Sequence, residues 1–429
     1  METKFYGKRI VVAGFIIAAF TMAIINTTAT FYMAPVCKEF GFSIAGFSWV
    51  YSMASLGAAI GAIVAGSLIT KFNIKIVMSA GAIATAAFFS SLTLAKELWH
   101  FYLLLGLCDL SMGLMSTVPL SDMVANWYTD KRGLMTAVVF SGVGVGGVIL
   151  SPLVENMITN MGWRASLLIS SLIIIVTSLP LCLFVFRRDP ASIGQAPYVL
   201  PAEEKKPAKR AEATGKAFEG VTKSVAQRTS SFYILALGLF LLGILASGIM
   251  VHIPTYLYSI GMNAGTAMAV LSAAVIIGTL GSGLFFDKLG AIGGMLFATL
   301  FFIIGMVCLI FVPNVHGLLY LMSLTIGFSI CVAGTGPPLL TSIMFGTKEY
   351  SQIFGIQYAL FLAGCIAGPV LSGYIYTGTG SYNTVWLIFI GITVFMFICT
   401  SLAVISARSL RKAEVKGKAV PHTEGASAN

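Results

Sequence analysis

Twelve long apolar stretches, divided six and six by a polar and basic segment at 187–230, constrain this chain more than any other feature. A helix needs roughly 20 apolar residues to cross about 30 Å of hydrocarbon. Lipid offers the backbone no hydrogen-bond partner, so such segments cross it as helices. Charged residues make up only 10% of the chain, against about 25% in soluble domains. The sequence therefore predicts an all-α membrane protein with twelve transmembrane helices.

The apolar stretches group into two bundles of six helices each. We place the N-terminal bundle at 1–186 and the C-terminal bundle at 231–406, with a cytoplasmic tail at 407–429. The segment between the bundles, 187–230, contains the run EEKKPAKR and few large apolar residues. Because such a composition cannot bury a core, we expect this segment to act as a linker.

Two landmarks recur at one spacing and indicate an internal repeat. Gly66 and Gly283 each follow the second apolar stretch of their half, and they are 217 residues apart. Pro152 and Pro369 lie in the fifth stretch of their halves and have the same offset. Two bundles related by an axis along the membrane normal are expected, with a solute site between them near the midplane.

The distribution of basic residues predicts the orientation. All Lys and Arg side chains except Lys38, Lys96 and Arg164 fall on the termini, the linker and one set of alternate loops. Basic loops stay on the cytoplasmic side, so we expect a multi-pass protein of the cell (inner) membrane with both termini cytoplasmic. The net charge of +10 is thereby explained by topology and the lipid bilayer, and no nucleic-acid partner is expected.

The sequence offers no pattern that indicates an enzyme. Its seven Cys residues have no CxxC or His-paired spacing, so no metal site or disulfide is predicted. We also expect no cofactor and no catalytic residue.

The loops after the second and eighth stretches carry a family resemblance. The second loop has the form Gly-x-x-x-Asp-Lys-x-Gly, which resembles the signature of the major facilitator superfamily. Segments 31–43, 126–133, 162–164 and 188–197 resemble the branch that holds the oxalate/formate exchangers and monocarboxylate transporters. This resemblance implies a monomeric secondary active transporter that moves a small organic solute by alternating access. It also implies a cytoplasmic latch between the halves, with Asp122 pairing with Lys131 or Arg132. The latch residues are Gly66, Lys71, Lys75, Asp122, Lys131, Arg132, Gly283, Asp287, Lys288 and Gly290.

The branch places cations at three positions that are uncharged here. Thr279, Phe361 and either Asn26 or Thr27 occupy them. A small dianion such as oxalate would lack the charge-assisted contacts that it needs in a low-dielectric pocket. We therefore expect a larger carboxylate-bearing metabolite, and the alternative is an efflux carrier for neutral or cationic drug-like compounds. The predicted substrate-binding residues are Asn26, Thr27, Thr30, Tyr32, Thr117, Tyr256, Thr279, Gln357, Tyr358 and Phe361.

Three ionisable groups within the spans are candidates for coupling to protons, because charge inside a membrane is costly. Asp109 is either such a group or a buried side chain bonded to its neighbours. Glu155 is either a gate charge paired with Arg164 or Lys38, or a structural residue. His252 is either a titrating group or a structural His, and the following Pro254 is expected to break the helix.

Overall fold

A computed structural model describes residues 5–199, 220–346 and 348–415, with backbone alone at 280, 282–285, 287, 351 and 408–415. These residues form twelve long helices and no strand. Eleven segments have the length and hydropathy of a membrane span, and Ala264–Thr279 is a shorter apolar helix. The helices are α1 (Gly7–Phe40), α2 (Ile44–Lys71), α3 (Ile74–Leu94), α4 (Leu98–Trp127), α5 (Arg132–Met161), α6 (Trp163–Val185), α7 (Ser230–Ser259), α8 (264–289), α9 (291–311), α10 (Leu318–Phe345), α11 (Tyr350–Thr379) and α12 (Tyr382–Val415). The predicted all-α fold is confirmed.

The two halves repeat one packing arrangement. In the first half α1 packs on α5, α2 on α4, and α3 on α4 and α6. In the second half α7 packs on α11, and the α8–α9 unit packs on α10 and α12. The helices α5 and α11 are both 30 residues long and both contain a proline at the predicted offset.

Small residues let the helices of each half approach closely. A Cβ on Gly146 of α5 would overlap the carbonyl of Ala19 on α1. In the second half a Cβ on Gly364 of α11 would overlap the carbonyl of Phe240 on α7. Such contacts are what holds helices together in lipid, where side-chain burial supplies no hydrophobic driving force.

Several helix limits differ from the sequence-based expectation. Pro254 does not break α7, which stays helical from Ser230 to Ser259. The C-terminal helix continues to Val415, beyond the boundary placed at 406. The turn between α8 and α9 is made by Gly290 alone, whose φ of 70° favours glycine.

One end of the molecule, here called the linker end, gathers the N-terminal segment and both borders of the linker. The Tyr6 hydroxyl donates to the carbonyl of Val185 at 2.8 Å, and its backbone N–H donates to the Gln195 side chain at 2.9 Å. The backbone N–H of Val221 donates to the carbonyl of Phe345. The opposite end, here called the distal end, holds the turns that join α1 to α2, α3 to α4, α5 to α6, α7 to α8, α9 to α10 and α11 to α12.

Replacing Gly146 with Ala should destabilise the protein, because its methyl group would meet the α1 backbone. Overpacking of this kind typically costs about 1–3 kcal/mol. The measurement is the thermal melting temperature of the purified protein in detergent. Gly334→Ala in α10 is the matched control, since its Cβ would meet nothing within 4 Å. Equal melting temperatures for the two variants would contradict the packing described.

Candidate functional site

A cavity of about 380 Å³ lies between the two halves. Helices α1 and α5 supply one wall, and α7, α8 and α10 supply the other. Most lining side chains are apolar, and none of those described carries a charge. The lining residues are Asn26, Thr27, Ala137, Phe140, Ser141, Val143, Gly144, Met250, Leu271, Ser272, Val275, Ile276, Thr279 and Ile330.

The polar groups of this central cavity differ in the hydrogen bonds that they already make within the protein. The hydroxyl of Thr279 donates to the carbonyl of Val275 at 2.8 Å, so its hydrogen is used within α8. Within the described part of the chain, the Asn26 side chain makes no hydrogen bond and is exposed to the cavity. It lies where α1 changes from α-helix to a 3₁₀ turn over Thr28–Tyr32. The hydroxyl of Thr30 donates a hydrogen bond to the carbonyl of Thr27 in that turn. Asn26 is therefore the lining group best placed to bind a polar solute atom.

Several predicted binding residues lie away from the central cavity. The Tyr32 hydroxyl is 2.9 Å from that of Ser166, and both are buried within the first half. The Tyr256 hydroxyl donates to the carbonyl of Leu309 at 2.6 Å inside the second half. Neither side chain lines the central cavity, contrary to the prediction.

The α11 candidates and Thr117 are also absent from the cavity lining. Gln357 is buried, and its amide donates to the carbonyl of Phe232 on α7. Tyr358 stacks on Phe361 with ring centroids 5.5 Å apart and is 40% exposed. Thr117 is exposed at the start of the second segment of α4. None of these four is among the residues that line the cavity.

The halves meet at the distal end, where polar groups cross between α2 and α11. The Ser52 hydroxyl donates to the carbonyl of Ile366 at 2.6 Å. A Cβ on Gly373 would overlap Ser48, so the two helices are in close contact there. Beside them, Phe31 of α1 packs edge-on to Tyr258 of α7 at 6.4 Å. We call this set of contacts, together with the α5–α8 contact described below, the distal seal.

His252 is fully buried in the distal seal. Its Nε2 is 3.0 Å from the carbonyl of Pro369 and 3.2 Å from the Ser48 hydroxyl of the other half. Because a carbonyl only accepts, the neutral ring carries its hydrogen on Nε2. Nδ1 then accepts from the Tyr382 hydroxyl at 3.2 Å. The ring thus ties α7 to α2, α11 and α12.

Glu155 also belongs to the distal seal, with partners other than those expected. Its two oxygens accept from the backbone N–H groups of Ala264 and Gly265 at 2.7 and 2.8 Å. The carboxylate of α5 therefore caps the first turn of α8, where the helix dipole favours negative charge. The predicted pairing with Arg164 or Lys38 is wrong. Arg164 binds Glu39 at 2.7 Å, because both side chains lie on the outer rim of the first half.

Asp109 lies inside the first half, apart from both the cavity and the distal seal. Its side chain is 6% exposed and makes no hydrogen bond within the described residues. The alternative in which Asp109 is hydrogen-bonded to its neighbours therefore does not hold in this structure.

The predicted latch at the linker end is not closed in this conformation. Asp122 pairs with Arg188 at 3.2 Å and not with Lys131 or Arg132, because α4 ends beside the start of the linker. Arg188 also donates to the carbonyl of Ile69 at 2.8 Å.

Within the described residues, none of the remaining latch residues makes a hydrogen bond or ion pair between the halves. Lys75 donates to the carbonyl of Leu183 in its own half, and Lys131 lies over the Tyr198 ring. Gly66 and Lys71 lie in the last two turns of α2, Arg132 begins α5, Lys288 lies near the end of α8, and Gly290 joins α8 to α9. None of them belongs to the distal seal, and neither does Gly283 in the backbone of α8. The Asp287 side chain lies outside the described residues.

The comparisons with known proteins fit this architecture. The family model described as Major Facilitator Superfamily matches residues 12–350. The chain is 25% identical to "Monocarboxylate transporter 12" of Homo sapiens over 415 residues, covering 89% of this chain and 77% of that one. It is also 25% identical to "Monocarboxylate transporter 13" of Bos taurus, covering 89% of this chain and 86% of that one. The chain belongs to the major facilitator superfamily, and it is a membrane transporter of small organic solutes, not an enzyme.

Solved structures share the fold. A bacterial homologue of the human lysosomal transporter Spinster superimposes with a TM-score of 0.69 at 16% identity, covering 98% of this chain and all of that one. The nucleoside transporter NupG has the same TM-score at 15% identity, covering 93% of this chain and 98% of that one. The predicted fold and the resemblance to monocarboxylate transporters are confirmed.

Ser48, Ser52 and Ser272 were missed by sequence reasoning. Ser48 and Ser52 are one helical turn apart and both face α11. Ser272 lines the cavity and touches Gly147 of α5. Hydroxyls four residues apart in an apolar span are a signal that could have identified the first two.

Replacing Val275 with Trp should strongly reduce transport, because the indole would project into the central cavity that Val275 lines and obstruct it. Ile277→Trp is the matched control on the same helix, since Ile277 is 59% exposed and does not line the cavity. Solute exchange by proteoliposomes should fall at least tenfold in the first variant and stay near the wild-type rate in the second. Equal rates for both variants would show that the solute passes elsewhere.

Proposed function

We propose that this protein is a proton-coupled carrier of organic monocarboxylates with an aromatic or apolar body, working by alternating access. The observation that carries the proposal is the mainly apolar cavity between the halves, closed on one side by the distal seal. Such a pocket suits a solute whose body is apolar and whose polar group needs few, well-placed partners. The protein lies in the cell membrane, with both termini and the linker cytoplasmic.

The positions at which the halves touch support the proposal of alternating access. The polar inter-half contacts of Ser48, Ser52 and Glu155 all belong to the distal seal. The helices inside each half pack closely in one repeated arrangement, so we expect each bundle to move as a unit. Rocking one bundle against the other opens the distal seal and brings the two halves together at the linker end. The cavity then faces each side of the membrane in turn.

A carboxylate is favoured by the two relatives named above, whose names describe them as monocarboxylate transporters. In the central cavity the donor for such a group is the Asn26 amide, with the hydroxyls of Thr27 and Ser272 beside it. These donors are neutral, so the pocket suits a singly charged or protonated acid and disfavours a dianion.

Proton coupling is assigned to Glu155. As an anion, it accepts two backbone hydrogen bonds across the α5–α8 contact. Charge-assisted hydrogen bonds are roughly twice as strong as neutral ones. Adding a proton removes the charge and turns one oxygen into a donor that faces an N–H group. Protonation therefore weakens the distal seal, and a proton taken up from the distal side favours opening to that side.

A neutral solute is the second candidate, and the charge of the cavity favours it. None of the described lining residues is a cation that would bind a carboxylate. A neutral amide or hydroxyl compound would use the same Asn26 contact without needing a counter-charge.

Uptake of mandelate and of its neutral counterpart mandelamide by proteoliposomes separates the two candidates. We expect protein-dependent mandelate uptake that rises when the outside is acidified, relative to liposomes without protein. Mandelamide uptake should be at least tenfold slower. Uptake of mandelamide alone, indifferent to the pH gradient, would reject the carboxylate assignment and support the neutral one.

Glu155→Gln should separate exchange from accumulation. The glutamine side chain is neutral like the protonated acid, so the distal seal opens without a proton. We expect mandelate exchange to continue, while accumulation driven by a pH gradient falls at least tenfold. Glu97→Gln is the control, because Glu97 caps α4 at the distal end within one half. Gradient-driven accumulation by Glu155→Gln at the wild-type level would exclude Glu155 as the coupling group.

A further inference from the structure

A second cavity, of about 560 Å³, opens at the distal end between the two halves. Residues of α1 and α5 line one side, and residues of α7, α11 and α12 line the other. We call it the vestibule. The distal seal separates it from the central cavity, since Tyr382 in its wall is the residue that bonds to His252.

One hydroxyl group in the vestibule wall has no partner. The Thr255 side chain is 5% exposed, and its hydroxyl makes no hydrogen bond within the described residues. The Tyr258 hydroxyl is also buried, and it lies next to the Glu155 carboxylate. A buried polar group without a partner is destabilising, so the Thr255 hydroxyl indicates a ligand that completes it.

Lys38 brings a positive charge to the same wall. It forms no ion pair among the described residues, because the nearby carboxylates are already occupied. Glu39 is held by Arg164 and by the indole N–H of Trp163, and Glu155 caps α8. An anion that enters the vestibule therefore meets a cation with no competing partner.

The vestibule also has an aromatic wall. Tyr376 lines it, and its ring stacks on the buried ring of Tyr382 with centroids 4.1 Å apart. Pro35 and Ile158 extend the apolar wall. Such a surface suits the body of an aromatic or apolar acid next to the charged group.

We propose that the vestibule is a second solute site, which binds an organic monocarboxylate with an aromatic or apolar body. The carboxylate pairs with the Lys38 ammonium group and accepts from the Thr255 hydroxyl, while the body lies against Tyr376 and the apolar wall. The solute class rests on the proposed function. The vestibule thus holds the cation that the central cavity lacks, so the carrier selects for negative charge at its mouth.

Binding of labelled mandelate to the purified Val275→Trp protein tests this site apart from the central cavity, which the indole obstructs. We expect one mandelate per protein, and mandelamide should bind at least tenfold more weakly. Lys38→Gln in the same background should raise the Kd at least tenfold, and Lys38→Arg should restore binding. Lys96→Gln is the control, because Lys96 is exposed near the distal end and does not line the vestibule.

Loss of mandelate binding in Val275→Trp, or equal affinity in its Lys38→Gln variant, would overturn the proposal. Melting temperatures of each variant establish that the protein is folded. Failure of the proposed function gives a different pattern: the wild-type protein would then not transport mandelate, while the Val275→Trp protein would still bind it through Lys38.

Discussion

The capping of α8 by Glu155 is the interaction on which the distal seal depends. It is a charged side chain of one half bound to the backbone of the other, at 2.7 and 2.8 Å. The helix end leaves its first N–H groups without intrahelical partners, so a carboxylate there satisfies two donors at once. Next to it, Gly265 lies against the backbone of Pro152. Any side chain on Gly265 would push the carboxylate away from the helix end.

The remaining polar contacts of the distal seal are neutral. Ser52 bonds to a carbonyl beside Pro369, and His252 bonds to the carbonyl of Pro369 itself. Since Pro369 has no N–H, the carbonyl of Cys365 is left without its usual helical donor, and the Ser247 hydroxyl bonds to it at 2.8 Å. A side-chain hydrogen bond thus replaces the backbone bond that Pro369 cannot make in α11. Under the proposed mechanism, a seal of one charged contact and several neutral ones closes the carrier and is weakened by a single proton.

Sequence reasoning succeeded where a pattern is set by lipid or by the repeat. The apolar stretches predicted the helices, and the shared offset of Pro152 and Pro369 predicted the two equivalent bundles. It failed where the answer depends on which way a helix is turned. Tyr32 and Tyr256 lie on helices that are apolar all round, so no periodicity reveals which face meets the cavity. The ion-pair partners of Asp122 and Arg164 depend on which helix ends and loops lie next to them in the fold. The charges in the sequence do not specify those neighbours.

The most direct test of alternating access is a pair of distances measured by spin labels, in a background without the native cysteines. One pair joins Asn160 and Asn383 at the distal end, and the other joins Lys71 and Lys348 at the linker end; all four side chains are exposed. With saturating mandelate at acid pH, the account predicts that the distal distance lengthens while the linker-end distance shortens. Both distances staying fixed, or changing in the same direction, in protein that transports solute would contradict it.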